Sequence, residues 1–263
     1  MISSLELELL TAMRDLGMTP DRARRKVTRP LTKVLGRPPR SVEDELVSGA
    51  WEHSELLDVA LYAALVRLTQ PFLMRYPLVD AAGNFGSIDG DPPADLFYGE
   101  ARLTAIGLAV VEGRAPHHLL NVPLPHHLGE LAEAAREGTL PPGPDFPTGG
   151  RVEAREARAI YERGHGKLHV RGSFHAADGA LVITAIPWRV KKADIVTSLC
   201  AVAETWDASD RDGLKIIVQG TTSARVEDVL THAIVVDGPP LREQLAGVDL
   251  AGLTTDARRT TLI

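Results

Sequence analysis

Disulfides are the first feature this sequence excludes. It holds a single cysteine, Cys200, so no internal bridge can form, and a reducing compartment is implied. Cys200 falls on an apolar helical stretch and reads as inert core. Aromatic residues make up only 5%, which leaves core building to Leu, Val, Ile and Ala. No run approaches the about 18 uninterrupted apolar residues of a membrane span. The opening MISSLELELLTAMRD carries acids inside its apolar run, unlike a signal peptide. These absences lead to the expectation of a cytoplasmic protein with no membrane partner. Punctuation, by contrast, is abundant: 18 prolines and 23 glycines among 263 residues predict many short elements. At 44% hydrophobic and 24% charged, the chain has apolar material for sizeable cores.

The net charge of −6 conceals an asymmetry. Residues 1–40 carry nine Lys/Arg against four acids, a net of +5, and the remainder sums to −11. A basic block on an acidic chain suits a polyanion surface, although a solvated helix face has the same composition.

Periodicity predicts an α+β fold. Leu5, Leu9, Leu10, Met13 and Leu16 space a helix over 3–16 that stops at Gly17. Thr19-Pro20-Asp21 reads as the cap of a second, basic helix running to Leu35, and Ser41 opens a short acidic one. Residues 52–69 give the clearest helix. Several short helices with tight turns resemble a helix-turn-helix or winged-helix module. Residues 99–112 and 128–137 read as helices, 113–127 as an irregular connector, and PPGPDFPTGG (141–150) as a linker. Asp178-Gly179 between alternating segments predicts a β-hairpin. Helix 190–205, strand 214–219 and helix 224–234 follow, and 238–263 reads as a loose tail. The expected domains are 1–140, 141–237 and the tail 238–263.

Generic chemistry is sparse. Asp80, Asn84 and Asp91 invite a calcium loop, yet Ala82 and Phe85 occupy positions that such a loop gives to an oxygen ligand and to glycine. Gly83, Gly86 and Gly90 lack the spacing of a phosphate cradle. His117, His118, His126 and His127 stand as two adjacent pairs without thiolate or carboxylate at ligand spacing, and read as surface residues. No metal site is expected.

The wording of the central stretch is more specific. RYPLVDAAGNFGSIDGDPPADLFYGEARLT (75–104) resembles the active-site segment of the A subunit of bacterial type IIA topoisomerases, DNA gyrase and topoisomerase IV. GMTPDRARRK (17–26) resembles the start of that family's DNA-binding helical region, and ALYAALVRLTQPF (60–72) its recognition helix. GPDFPT (143–148), IYERGHGKLHVRG (160–172), ITAIPWRV (183–190) and SDRDGLKIIV (209–218) resemble its tower domain. The resemblance implies a winged-helix-like breakage–reunion module followed by an α+β tower-like domain. Tyr98 takes the nucleophile position, and Arg24, Arg25, Lys26, Lys33, Arg67 and Arg75 take positions facing DNA phosphates. The implied partners are double-stranded DNA and a B-type subunit, which would hold Mg²⁺ and ATP, with neither bound by this chain. A homodimer or a heterodimer with a gyrase A chain is the implied assembly, on the nucleoid.

Departures from the pattern fall on catalysis. The family's arginine before the tyrosine is Phe97 here, and Ser54-Glu55-Leu56-Leu57 stand where it has His-Pro-His-Gly, with His53 just ahead. The 113–127 connector is shorter than the family segment carrying a DNA-bending isoleucine, and Pro38–Ala50 is an insertion. The coiled coil, C-terminal gate and DNA-wrapping domain are not within the 263 residues. Val59 and Ala63 replace the serine and the acid that anchor quinolone inhibitors. Three readings are therefore expected: impaired tyrosine-mediated strand breakage with a B-type partner, a non-catalytic regulator that binds DNA or gyrase B and protects gyrase from inhibitors, or a residual structural fragment without a selected activity.

Overall fold

A computed structural model describes residues 2–26, 50–95, 98–114, 124–210 and 213–246, with the backbone alone for 50–58. The chain is α+β, and its contacts divide it into two compact units.

The first unit draws on residues up to 87 and on 91–121. Helix α1 (Ser4–Asp15) begins at a capping box in which the Ser3 hydroxyl accepts from the Glu6 N–H and the Glu6 carboxylate accepts from the Ser3 N–H. Helix α2 (Ala50–Thr69) packs across it, with Leu9, Leu10 and Met13 meeting Leu61, Leu65 and Leu68 in a core from which water is excluded. Three short antiparallel strands cover one side in the order β1 (Arg25–Lys26), β3 (Glu100–Leu103), β2 (Val79–Ala82). Helix α3 (Ala105–Val111) starts at Thr104, whose hydroxyl accepts from the Gly107 N–H. Gly107 is required there: a Cβ would lie 2.1 Å from the Leu78 carbonyl oxygen.

Two expectations for this unit are corrected. The basic helix after Thr19 is absent over its described part. Arg22 N–H closes a turn on the Thr19 carbonyl at 3.0 Å, and Arg25–Lys26 then pair with Ala101 and Glu100 as a strand. The rest of that helix, with Lys33, and the acidic helix after Ser41 lie outside the described residues. The helix read over 99–112 starts only at Ala105, because Glu100–Leu103 pair in full register with Val79–Ala82.

The second unit holds residues 88–90 and 122–248. It contains α4 (Leu128–Glu137), α5 (Ala154–Arg163), β4 (Gly166–Arg171), β5 (Ser173–Ala177), β6 (Ala180–Ala185), α6 (Lys192–Cys200), β7 (Glu204–Asp207), β8 (Ile216–Gln219), α7 (Ser223–Val229), β9 (Thr231–Val236) and α8 (Leu241–Leu245). The hairpin turn sits where predicted, with Asp178 and Gly179 both at positive φ (50° and 75°). Strands run β5-β6-β8-β7, all antiparallel, and a separate ribbon pairs β4 with β9. Ile183, Ile186, Ile195, Leu199, Ile216, Val218, Val226 and Leu230 form one buried cluster between the four-stranded sheet and α6 and α7. Lys192, 8% exposed at its side chain, places Nζ 2.9 Å from Asp89 and 2.7 Å from Asp207, so its buried charge is paired on both sides.

Two helix predictions and the expected tail are revised here. The one over 190–205 ends at Cys200, and residues 204–207 become an edge strand. The one over 224–234 ends at Val229, because the β-branched run THAIVV pairs residue for residue with β4. The expected loose tail contains α8, whose Leu241 and Leu245 are buried. Cys200 is exposed rather than core. His126 is buried rather than at the surface, and His127 caps α4 by accepting from the Gly129 N–H. His117 and His118 lie outside the described residues.

Candidate functional site

The strand pair β2–β3 closes at Ala82 opposite Glu100, and the glycine- and proline-rich segment between them carries Tyr98. Within the first unit its backbone is held by side chains rather than by a ladder. Asn84 Oδ1 accepts from the Gly86 N–H at 2.9 Å, while the Asn84 carbonyl accepts from the Ala94 N–H at 2.9 Å. Ser87 Oγ donates to the Asp91 carboxylate at 2.6 Å. Gln70, just after α2, donates to the Phe85 carbonyl at 2.8 Å, and on α2 the Tyr62 hydroxyl donates to the Ala94 carbonyl. Phe85 is buried, with its ring so close to Gly99 that a Cβ there would lie 2.6 Å away. The Tyr98 N–H bonds the Asp95 carbonyl at 3.0 Å, and its side chain projects at 75% exposure. The described residues of this segment are thus held by hydrogen bonds, and Tyr98 displays its phenol to solvent.

The cations around this framework are largely engaged. Asp80 on β2 receives Arg24 at 2.8 Å on one oxygen and Arg102 at 2.7 Å on the other. Burial alone would raise the Asp80 carboxyl, but the two arginine hydrogen bonds and charges hold it below its ordinary value. Arg102 also donates to the Pro20 and Arg22 carbonyls, which ties the turn before β1 to the sheet. Arg25 donates to the Leu16 carbonyl at 2.7 Å, and Lys26 is exposed. Arg67 grips the 4%-exposed Glu6 with two bonds, 2.5 and 2.6 Å. Arg75 lies over the Tyr76 ring at 5.2 Å. Val59 is 68% exposed and Ala63 is exposed beside it on α2. Phe97 lies outside the described residues, as do the side chains of His53 and Ser54–Leu57.

Glu6 and Arg102 belong to this framework without having stood out in the sequence, and Asp80, noticed there only as a rejected calcium-loop residue, proves to be a partner of arginines. For Glu6 a signal exists, the S-x-x-E of a capping box. For Asp80 and Arg102 there is none, since strand pairing alone brings them together. Burial pushes the Glu6 carboxyl up, and the Arg67 hydrogen bond, the Ser3 backbone and the Arg67 charge more than reverse it. Glu6→Gln is expected to destabilise the first unit by about 1–2 kcal/mol, a modest cost because Arg67 is 38% exposed and reaches water. Urea unfolding measures this, and an unchanged midpoint would show that the pair contributes nothing.

No helix among the described residues is long and apolar enough to cross a membrane. Residues 44–122, which include Tyr98 and its loop, match the family of DNA gyrase/topoisomerase IV A subunits. The chain is 31% identical to the DNA gyrase A subunit of Dehalogenimonas lykanthroporepellens over 289 aligned residues, covering 85% of this chain and 34% of that protein. It is 29% identical to the DNA gyrase A subunit of Thermotoga maritima, covering 88% and 34%. Against that of Synechocystis sp. it is 30% identical, covering 85% and 32%. The chain therefore spans about a third of the length of these relatives, and it is a divergent gyrase A-like protein.

Proposed function

We propose that this protein binds double-stranded DNA and retains, in slowed form, the tyrosine-mediated strand breakage of type II topoisomerases. The observation that carries the reading is the phenol of Tyr98, 75% exposed in the segment between β2 and β3, in a gyrase A-like chain. In the reaction the Tyr98 phenol gives up its proton, its oxygen bonds a backbone phosphorus, and the 3′-oxygen leaves and takes up a proton. The resulting 5′-phosphotyrosyl ester stores the broken bond for resealing. The first unit is the winged-helix-like module of this reading, and the second the tower-like domain. A B-type subunit brings Mg²⁺ and ATP hydrolysis, and the work takes place on the nucleoid.

A second reading has its own support. Arg24 and Arg67 are committed to Asp80 and Glu6, so fewer free cations face a phosphate backbone than the sequence suggested. That favours a non-catalytic regulator that occupies DNA or a B-type subunit. With Val59 and Ala63 in place of drug-anchoring side chains, such a protein would shield gyrase from quinolones.

DNA binding separates both from an inert protein. Affinity is expected to fall steeply with salt, because phosphate contacts release counterions. Changing Arg24, Arg25 and Lys26 together to Ala should weaken binding to all sequences alike and flatten the slope of log affinity against log salt by about 1 or more. Fluorescence anisotropy across a salt series measures this. An unchanged slope would remove the β1 strand from the interface.

A further inference from the structure

We propose that Lys192 is a positioning residue for Tyr98, because it holds Ile88–Gly90, the three residues of the β2–β3 segment that belong to the second unit. The inference rests on the strand-breakage reading of Tyr98. The excursion over 88–90 is closed at its base, where the Ser87 hydroxyl donates to the Asp91 carboxylate at 2.6 Å. Its tip is held at successive residues. Ile88 packs against the buried cluster of the second unit. The Ile88 carbonyl accepts from the Lys192 N–H at 2.9 Å, which satisfies a first-turn donor of α6, a helix that no side chain caps. The Lys192 ammonium then meets the Asp89 carboxylate at 2.9 Å. Gly90 follows at φ 97°, a conformation that favours glycine. One lysine thus holds two consecutive residues, one through its backbone and one through its side chain.

Ile88 supplies apolar burial, and a buried ion pair adds little stability beyond that. What the ammonium adds is a fixed direction for the tip. Burial lowers the Lys192 ammonium, and the hydrogen bonds and charges of Asp207 and Asp89 more than reverse this, so the group stays charged. From Asp91 onward, Pro92 and Pro93 restrict the chain. The bonds of the Ala94 N–H to the Asn84 carbonyl and of the Tyr98 N–H to the Asp95 carbonyl continue the path to the phenol. A tip released from Lys192 therefore loosens the approach to Tyr98 without removing any group that touches a reacting phosphate.

Hydrogen–deuterium exchange of the whole 263-residue chain, without DNA, reads the anchor. Asp89→Ala leaves Lys192 its Asp207 partner, 2.7 Å away, so the second unit stays folded. Exchange at the Ala94 and Tyr98 amides should rise about tenfold in this variant, while the β6–β8 pair keeps its protection. Lys192→Met, verified as folded by circular dichroism, should act at least as strongly, and adding Asp89→Ala to it should change nothing more. In the Phe97→Arg background, with DNA, Mg²⁺ and a B-type subunit, Asp89→Ala should slow adduct formation about tenfold at unchanged DNA affinity. Asp89→Glu, which keeps the carboxylate, should recover most of that loss. Unchanged exchange at Ala94 and Tyr98 in Asp89→Ala overturns the proposal, as does faster exchange with undiminished adduct formation. If no protein forms adducts even with Arg at 97, the strand-breakage reading fails instead, and exchange alone decides whether Lys192 fixes the segment.

Discussion

Restoring a cation beside the nucleophile, Phe97→Arg, is expected to raise covalent DNA–protein adducts about 10²-fold when DNA, Mg²⁺ and a B-type subunit are present. A phenol with an ordinary pKa of about 10 is mostly protonated and weakly nucleophilic at neutral pH. An adjacent guanidinium favours the phenolate and the charge that develops on the phosphate in the transition state. Removing one such preorganised partner typically costs about 10²–10³ in rate. Phe97 places an apolar ring in that sequence position, next to a Tyr98 that the fold leaves exposed to solvent. Tyr98→Phe should abolish adducts in either background, because no other nucleophile among the described residues occupies that point of the loop. Denaturing gels with 3′-labelled DNA, whose label stays on the fragment joined to the protein, resolve the two variants. Adducts surviving Tyr98→Phe would place the nucleophile elsewhere. Adducts absent even with Arg at 97 would favour the regulator reading, with the changed 54–57 segment as a further deficit.

What the sequence made legible divides along physical lines. Local signals were reliable: Ser3 and Gly17 bracket α1, and Asp178-Gly179 turns its hairpin because only certain residues tolerate those φ values. Long-range pairing was not legible. Arg25–Lys26 and Glu100–Leu103 have side chains compatible with a helix, and it is their mutual pairing, far apart in the chain, that makes them strands. Thr231–Val236 shows the same override, since an apolar run of that length fits either period until β4 is present to accept it. The family resemblance was legible where literal wording carried it, in the stretch around Tyr98 that the family match over residues 44–122 includes. The site was illegible where charge partners decide availability: no spacing rule joins Arg67 to Glu6, or Arg24 to Asp80. Counting cations in the sequence therefore overstated the positive surface, because burial of Glu6 and sharing of Asp80 consume guanidinium groups inside the fold.

Acid sensitivity of the second unit should trace in large part to one residue. His126 is 4% exposed, and burial, against weaker opposing effects of the Gly143 backbone and the Asp145 carboxylate, lowers its imidazole from the ordinary 6.5 to about 4. The folded chain thus keeps His126 neutral where the unfolded chain protonates it. Stability from this group is complete above pH 6.5, falls as pH drops below that value, and levels off below about 4. At about 1.36 kcal/mol for each pH unit between the two values, the loss reaches about 3 kcal/mol by about pH 4. His126→Phe keeps a ring against Tyr161 and removes two buried nitrogens that make no well-formed hydrogen bond, the Gly143 backbone being only a weak partner, so it should be about as stable as the native protein at about pH 7. Between about pH 7 and pH 4 the variant should lose about 3 kcal/mol less than the native protein, since the carboxylate contributions are common to both. Urea unfolding at several pH values, following the second unit's transition, gives the difference directly. Parallel curves for the two proteins would mean that His126 is protonated in the fold across that acid range, and that its burial is shallower than the packing around Tyr161 implies.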